Sequence, residues 1–236
     1  MRPLYILPGW GLGRGPLQAA ATALGGTFID LPGYGETPLE ADFDRAAAGI
    51  ADRLPPGATL TGWSLGAMLA LAIAARAPAK VSKLLLIAGT PSFVQRADWP
   101  DAMSPATLSE FTAAIAADPA AMLPRFVGGF NRGDTQAKAV TAEILRLASP
   151  LPSGDVLATG LGWLRDVDLR AEAPRVTAPT LLLHGAADPL MPLAAARMLA
   201  ALIPGARLAV LDDCAHTPFL SRPDDFLDHA RAFVHG

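Results

Sequence analysis

The chain predicts an α/β fold: a mostly parallel sheet flanked by helices and interrupted by a helical insertion. Three observations predict it. Short β-type runs alternate with Ala-rich helical stretches in the first third of the chain, the same alternation resumes near the C-terminus, and the segment between them carries no comparable strand signal. In order, residues 3–7, 27–30, 59–62 and 83–88 are short apolar or β-branched runs that read as strands. Between them, residues 43–54 and 65–76 read as helices, the second stopped by Pro78. Residues 180–184 and 207–211 read as two further strands, and 193–202 and 224–234 as helices. Parallel neighbours need a crossover, so strand–helix alternation predicts that both segments share one parallel sheet. From residue 92 to 169, Ala, Leu and Phe between Pro100, Pro105, Pro119, Pro124 and Pro150 read as a series of short helices. The expected organisation is a core from 1–95 and 169–236 with a helical lid inserted at 96–168, since an insertion of this length in a compact domain is usually functional.

Composition narrows the function classes. The 236 residues are 51% hydrophobic and 17% charged, the balance of a well-buried globular protein and not of a disordered one. A formal net charge of -3 without a block of Lys or Arg lacks the footprint of phosphate-backbone binding, so nucleic acid is not an expected partner. Cys214 is the only cysteine, which excludes an intramolecular disulfide and a thiolate metal cluster and suits a reducing cytoplasm. The apolar run Leu4-Tyr5-Ile6-Leu7 is broken by Pro8 and Gly9, too short for a signal-peptide core. No stretch approaches the roughly 20 apolar residues of a membrane span. The expectation is a cytoplasmic monomer with no membrane association, no metal and no cofactor.

Gly62-Trp63-Ser64-Leu65-Gly66 falls where a predicted strand turns into a predicted helix, the context that gives G-x-S-x-G its meaning as the nucleophile elbow of the α/β-hydrolase fold. The sharp turn brings flanking backbone too close for side chains at the two glycines and pushes the Ser64 hydroxyl above the sheet. A serine hydroxyl is a poor nucleophile until a base takes its proton, so a histidine is expected further along the chain. His229 and His235 belong to the amphipathic C-terminal helix, and His184 ends a predicted strand in a structural setting. His216 follows the last strand, in a loop that parallel topology places at the C-terminal edge of the sheet beside Ser64. It is the expected base. The acid that fixes the imidazole tautomer should lie between serine and histidine, and Asp188, just after the strand at 180–184, meets that demand. Asp166, Asp168, Asp212 and Asp213 are rivals: the first two precede the strand, and the others suit a surface loop. Cys214 reads as a small buried residue.

An oxyanion site needs backbone N–H donors. Leu65 opens the helix after Ser64 and supplies one. The other should come from Pro8-Gly9-Trp10-Gly11 after the first strand; proline has no N–H, leaving Gly9, Trp10 or Gly11, of which Trp10 is the expected donor.

Over nearly its whole length the sequence resembles the pimeloyl-acyl-carrier-protein methyl ester esterases of biotin synthesis. The echoes are Gly9-Trp10-Gly11-Leu12, Asp30-Leu31-Pro32-Gly33-Tyr34-Gly35, the elbow, Asp98-Trp99-Pro100, Arg125-Phe126, Val167-Asp168-Leu169-Arg170 and Ala215-His216-Thr217-Pro218-Phe219. The resemblance implies a cofactor-free serine carboxylesterase whose substrate site is lined by Trp10, Ser64, Leu65, Phe126 and His216, with Phe126 in a lid segment over the acyl chain. It also implies docking of an acidic acyl-carrier protein on basic lid residues, here Arg125 and Lys138, with Arg132 and Arg146 as helpers. The chain departs from the family at Pro8, where a histidine is usual, at Ala67, where a further glycine is usual, and at Ala121 and Ala142, where arginine is expected. Two other readings remain: an esterase or lactonase for small free esters, and a non-catalytic ligand receptor on the same fold. Dehalogenases and epoxide hydrolases of this fold attack with aspartate, which Ser64 argues against.

Overall fold

A computed structural model describes residues 2–148 and 150–236. In chain order its elements are β1 (Leu4–Leu7), α1 (Gln18–Leu24), β2 (Gly26–Phe28), α2 (Phe43–Arg53), β3 (Ala58–Trp63), α3 (Leu65–Arg76), β4 (Val81–Ile87), α4 (Pro105–Ala117), α5 (Pro119–Phe130), α6 (Ala137–Leu147), α7 (Gly154–Asp166), β5 (Thr180–Gly185), α8 (Leu193–Leu202), β6 (Arg207–Leu211), α9 (Pro218–Ser221) and α10 (Pro223–His235). The strands form one six-stranded sheet in the order β2-β1-β3-β4-β5-β6, and every pairing between them is parallel.

The central strands β3 and β5 are buried at every position. Helices cover both faces of the sheet, which is why β5 carries the unbroken run Leu181-Leu182-Leu183 and why β3 buries even its alternating Thr59 and Thr61. α1 and α10 pack together on one face, and α2, α3 and α8 occupy the other. α2 buries Phe43, Ala46, Ala47, Ile50 and Ala51, a one-sided stripe at helical spacing, and the Asp42 side chain caps its N-terminus by accepting from the Arg45 amide at 2.8 Å. α3 is buried from Leu65 to Ala75 because it lies between the sheet and a further layer, and its alanines let the packing close all round.

Two features differ from the sequence expectation. α1 has only seven residues between Gly15-Pro16 and Gly25-Gly26, too short for a periodic stripe to stand out. The helical segment has fewer breaks than its prolines suggest: α4 to α7 run 11 to 13 residues each. Pro105 and Pro119 stand at helix starts, where a missing N–H costs nothing, and only Pro124 lies inside a helix.

All six strands point the same way, so the segments that follow β1, β3, β5 and β6 emerge at one edge of the sheet. These segments carry Trp10, Ser64, Asp188 and His216. The α4–α7 layer is fastened over that edge: the Trp10 indole donates to Leu157 O at 3.0 Å, and the Thr217 hydroxyl donates to Asn131 Oδ1 at 3.0 Å.

Candidate active site

Ser64 sits between β3 and α3 with φ 57° and ψ -118°, a left-handed conformation that a non-glycine residue holds only when its surroundings enforce it. The surroundings are backbone. A Cβ on Gly62 would lie 2.2 Å from Gly66 O, and one on Gly66 would lie 2.4 Å from Leu7 O and Pro8 O. Glycine at both positions lets the turn close and lets the end of β1 lie against it. The Ser64 amide donates to Ile87 O at 3.0 Å, while its carbonyl accepts from Ala67 at 2.9 Å and Met68 at 3.2 Å, opening α3. Both ends of the turn are thus held, and the hydroxyl borders a cavity shared with His216.

The His216 and Asp188 side chains are buried, and His216 Nδ1 lies 2.7 Å from Asp188 Oδ2. A carboxylate only accepts, so Nδ1 carries the proton and Nε2 is left with a free lone pair. The other carboxylate oxygen accepts from the Leu190 and Met191 amides at 2.9 and 3.0 Å. Burial alone would raise the Asp188 carboxyl, but the charge and hydrogen bond of His216, the charge of His184 and the Met191 amide outweigh it and hold the group below its ordinary range. His184 is also buried, donates from Nε2 to Met191 O at 2.6 Å, and lies 3.7 Å from Asp188 Oδ2. It therefore braces the turn that presents Asp188. Burial pushes its imidazole below the ordinary value, against the pull of Asp188.

The rival groups are engaged elsewhere. Asp166 pairs with Arg165 at 2.7 Å and Asp168 with Arg170 at 2.7 Å, while Asp212, Asp213, His229 and His235 are exposed. The Cys214 thiol is buried and pushed up to about 12 by that burial, so it is no thiolate near neutral pH.

Among candidate oxyanion donors, Gly11 is spent: its amide donates to the Tyr34 hydroxyl at 2.8 Å. Among the described residues, the Trp10 and Leu65 amides have no protein acceptor. Gly9 packs its Cα against the Trp63 ring, where a Cβ would meet Cε3 at 2.9 Å.

The cavity has a volume of about 380 Å³ and a mostly apolar wall that includes Trp10, Phe111, Met122, Phe126, Phe130 and Leu161. Its aromatic rings form a continuous path. Trp10 meets Phe126 edge-on at 5.4 Å, Phe126 stacks on Phe111 at 5.0 Å and meets Phe130 at 5.1 Å, and Phe130 lies 5.1 Å from the His216 ring. Arg125 and Arg132 are the charged side chains of this wall among the described residues. A mostly apolar cleft beside a buried Asp–His pair and a strained serine suits an acyl chain with one polar reacting group.

The description of the alpha/beta hydrolase family matches residues 4–229. The chain belongs to the alpha/beta hydrolase family. This hydrolase is 42% identical to the pimeloyl-[acyl-carrier protein] methyl ester esterase of Aromatoleum aromaticum, over 94% of each chain. It is 38% identical to the esterase of the same name from Nitrosomonas europaea, over 95% of this chain and 92% of that one. Among solved structures, an esterase from Exiguobacterium antarcticum superposes with a TM-score of 0.88 at 25% identity, over 100% of this chain and 92% of that one. A bromoperoxidase from Bacillus anthracis shares the fold alone, at TM-score 0.87 and 18% identity, over 100% of this chain and 93% of that one.

Two of the sequence echoes prove to be one structural clasp in this hydrolase. Arg170 pairs with both Asp98 and Asp168, and its guanidinium lies 5.8 Å over the Trp99 ring, joining the two ends of the helical segment away from the cavity. Of the basic residues, Arg125, Arg132 and Lys138 are exposed and make no ion pair among the described residues, whereas Arg146 pairs with Glu143 at 2.6 Å. Phe111, Met122 and Phe130, which line the cavity from α4 and α5, are absent from the expected site residues, and Tyr34, present above only within a shared motif, occupies the Gly11 amide. Asn131 and Asp134, which bond to the His216 loop, are likewise absent from that set. A polar Asn131-Arg132-Gly133-Asp134 turn directly after an apolar helix was the available signal. No helix among the described residues is long and apolar enough to cross a membrane, and none of their acidic, His or Cys side chains cluster as a metal site.

Proposed function

We propose that this hydrolase cleaves the methyl ester at the far end of a pimeloyl chain carried on acyl-carrier protein, by a covalent serine mechanism. The observation that carries the chemistry is the buried His216–Asp188 pair at 2.7 Å, bordering the same cavity as the strained Ser64. His216 Nε2 takes the Ser64 proton as Oγ forms a bond to the ester carbon, and the carbonyl electron pair moves onto oxygen. That oxyanion accepts hydrogen bonds from the Leu65 and Trp10 amides, with the N-terminus of α3 adding favourable potential. Collapse breaks the bond to methoxide, which leaves as methanol with the proton from His216. Water, deprotonated by His216, then attacks the acyl-enzyme, His216 returns that proton to Ser64 as the ester bond breaks, and the free acid departs and loses its own proton to solvent. Asp188 holds the tautomer and stabilises the imidazolium throughout.

The substrate assignment rests on the names of the two relatives and on the apolar cavity, whose rings at Trp10, Phe111, Phe126 and Phe130 accommodate methylenes. The exposed cations Arg125, Arg132 and Lys138 suit an acidic carrier protein at the α5–α6 surface, with the helical insert acting as a lid. The test is a side-by-side assay of pimeloyl-carrier-protein methyl ester and free methyl pimelate. The expected result is a higher kcat/KM for the carrier-bound ester, with KM rising in salt more than kcat falls. Equal kcat/KM values and failure to restore biotin synthesis in a strain lacking such an esterase would transfer the assignment to small free esters.

A further inference from the structure

We propose that Asp134 and Asn131, in the turn between α5 and α6, are positioning residues for His216, so that the helical layer itself holds the base in register. The inference rests on the reading of His216 as base. Asp134 is buried in this turn, and its two oxygens do different work. Oδ1 accepts from the Gln136 amide at 2.7 Å within its own turn, whereas Oδ2 reaches across to the amide of Ala215, the residue before His216, at 3.0 Å. Asn131 acts on the residue after it. Its Oδ1 accepts from the Thr217 hydroxyl at 3.0 Å, and its amide nitrogen donates to Val127 O and Thr141 Oγ1 at 3.1 Å each. Asn131 and Thr217 are fully buried.

His216 is thus bracketed in sequence by two buried hydrogen bonds from one turn of the helical layer. Further bonds strengthen the seam. The Thr135 amide donates to Asp213 O at 3.2 Å, and the Gln136 side chain donates to Ser221 O at 2.8 Å. The Trp63 indole holds His216 O at 3.0 Å from the core side. A turn that merely joined two helices would satisfy its polar groups within itself. Here a buried carboxylate oxygen and a buried amide oxygen are both directed at the loop of the base. Because Phe126 and Phe130 lie on the helix that ends in this turn, the substrate wall and the base share one support.

The test is steady-state kinetics on a short activated ester, combined with active-site titration, for Asp134→Ala, Thr217→Val and Thr217→Ser. Positioning predicts that Asp134→Ala and Thr217→Val lower kcat by about tenfold to a hundredfold at little-changed KM, the scale of a small misplacement of a catalytic group. It also predicts that the titratable site fraction stays near that of the parent and that Thr217→Ser, which keeps the hydroxyl, recovers most of the rate. A kcat within twofold of the parent in folded Thr217→Val and Asp134→Ala would overturn the proposal. So would a loss accounted for by fewer titratable sites, since that marks misfolding and not misplacement. His216→Ala separates the two readings: if it retains activity, the base assignment fails; if it is inactive while Thr217→Val is not, only the positioning role fails.

Discussion

Replacing Asp188 with asparagine exchanges one oxygen for an NH₂ group and removes the charge, and the surrounding geometry dictates the outcome. The carboxylate serves two sets of partners: Oδ1 accepts from the Leu190 and Met191 amides at 2.9 and 3.0 Å, and Oδ2 accepts from His216 Nδ1 at 2.7 Å. The asparagine of Asp188→Asn would keep the first set only with its oxygen at the Oδ1 position, which turns its NH₂ toward His216. A donor then faces Nδ1, the imidazole settles with its proton on Nε2, and the lone pair that should receive the Ser64 proton is lost. The opposite orientation sets NH₂ against both loop amides and leaves buried donors unpaired, so it offers no escape. Losing the tautomer in a triad costs about 10⁴-fold in kcat, equivalent to about 5.4 kcal/mol of transition-state stabilisation. The assay is kcat and KM for an activated ester, with thermal unfolding as the fold control. Asp166→Asn and Asp168→Asn, whose carboxylates pair with Arg165 and Arg170, should leave kcat within about threefold because they act away from the cavity. A folded Asp188→Asn within tenfold of the parent, or a crippled Asp166 or Asp168 variant, would refute the assignment.

The same geometry sets the response to pH, chain length and alkylation. A protonated imidazole has no lone pair to accept the Ser64 proton, so kcat/KM should fall on acidification, whereas a flat profile with chemistry rate-limiting would count against this base. Stability should fall in the same direction. His184 is held below its ordinary 6.5 and Asp188 below its ordinary 3.8, so the unfolded chain binds protons first, and Tm should decline as pH falls from about 6.5, first through His184 and then through Asp188. Phe126→Ala should remove ring contacts at 5.4, 5.0 and 5.1 Å and flatten the preference for longer acyl chains, which otherwise gains up to about 0.8 kcal/mol per buried methylene. A chain-length series of methyl esters reads this out, and an unchanged slope would remove Phe126 from the acyl wall. Cys214 should resist alkylation in the folded protein because its thiol is buried and pushed up to about 12, and rapid labelling without unfolding would contradict that environment.

Much of the fold was legible because its determinants are local. The elbow glycines announce a turn that only glycine permits, and α3 and the strands β5 and β6 are apolar runs with sharp boundaries. Ser64, His216 and Asp188 were proposed as a set from chain order and from the rule that parallel strands deliver their following loops to one edge, and the fold does carry them on loops at that edge, with His216 and Asp188 in contact. What stayed hidden depends on tertiary contact. Nothing adjacent to Asn131 or Asp134 in sequence reveals that their partners are Thr217 and Ala215, 86 and 81 residues away. Phe111 and Phe130 read as ordinary core residues of their helices until the rings meet across α4 and α5. Pro124 misled because proline inside a helix is disfavoured by its missing N–H, yet a helix exposed there tolerates it. The Trp99 and Asp168 echoes carried family likeness without chemistry, since Arg170 uses both to close the base of the insert.

Covalent bond formation by Ser64 is decided by intact-mass analysis followed by peptide mapping after reaction with a fluorophosphonate. A nucleophilic Ser64 gives one adduct per chain, located on Ser64, absent from Ser64→Ala and strongly slowed in Asp188→Asn. Failure of the folded protein to react, or an adduct on another residue with esterase turnover intact in Ser64→Ala, would contradict it.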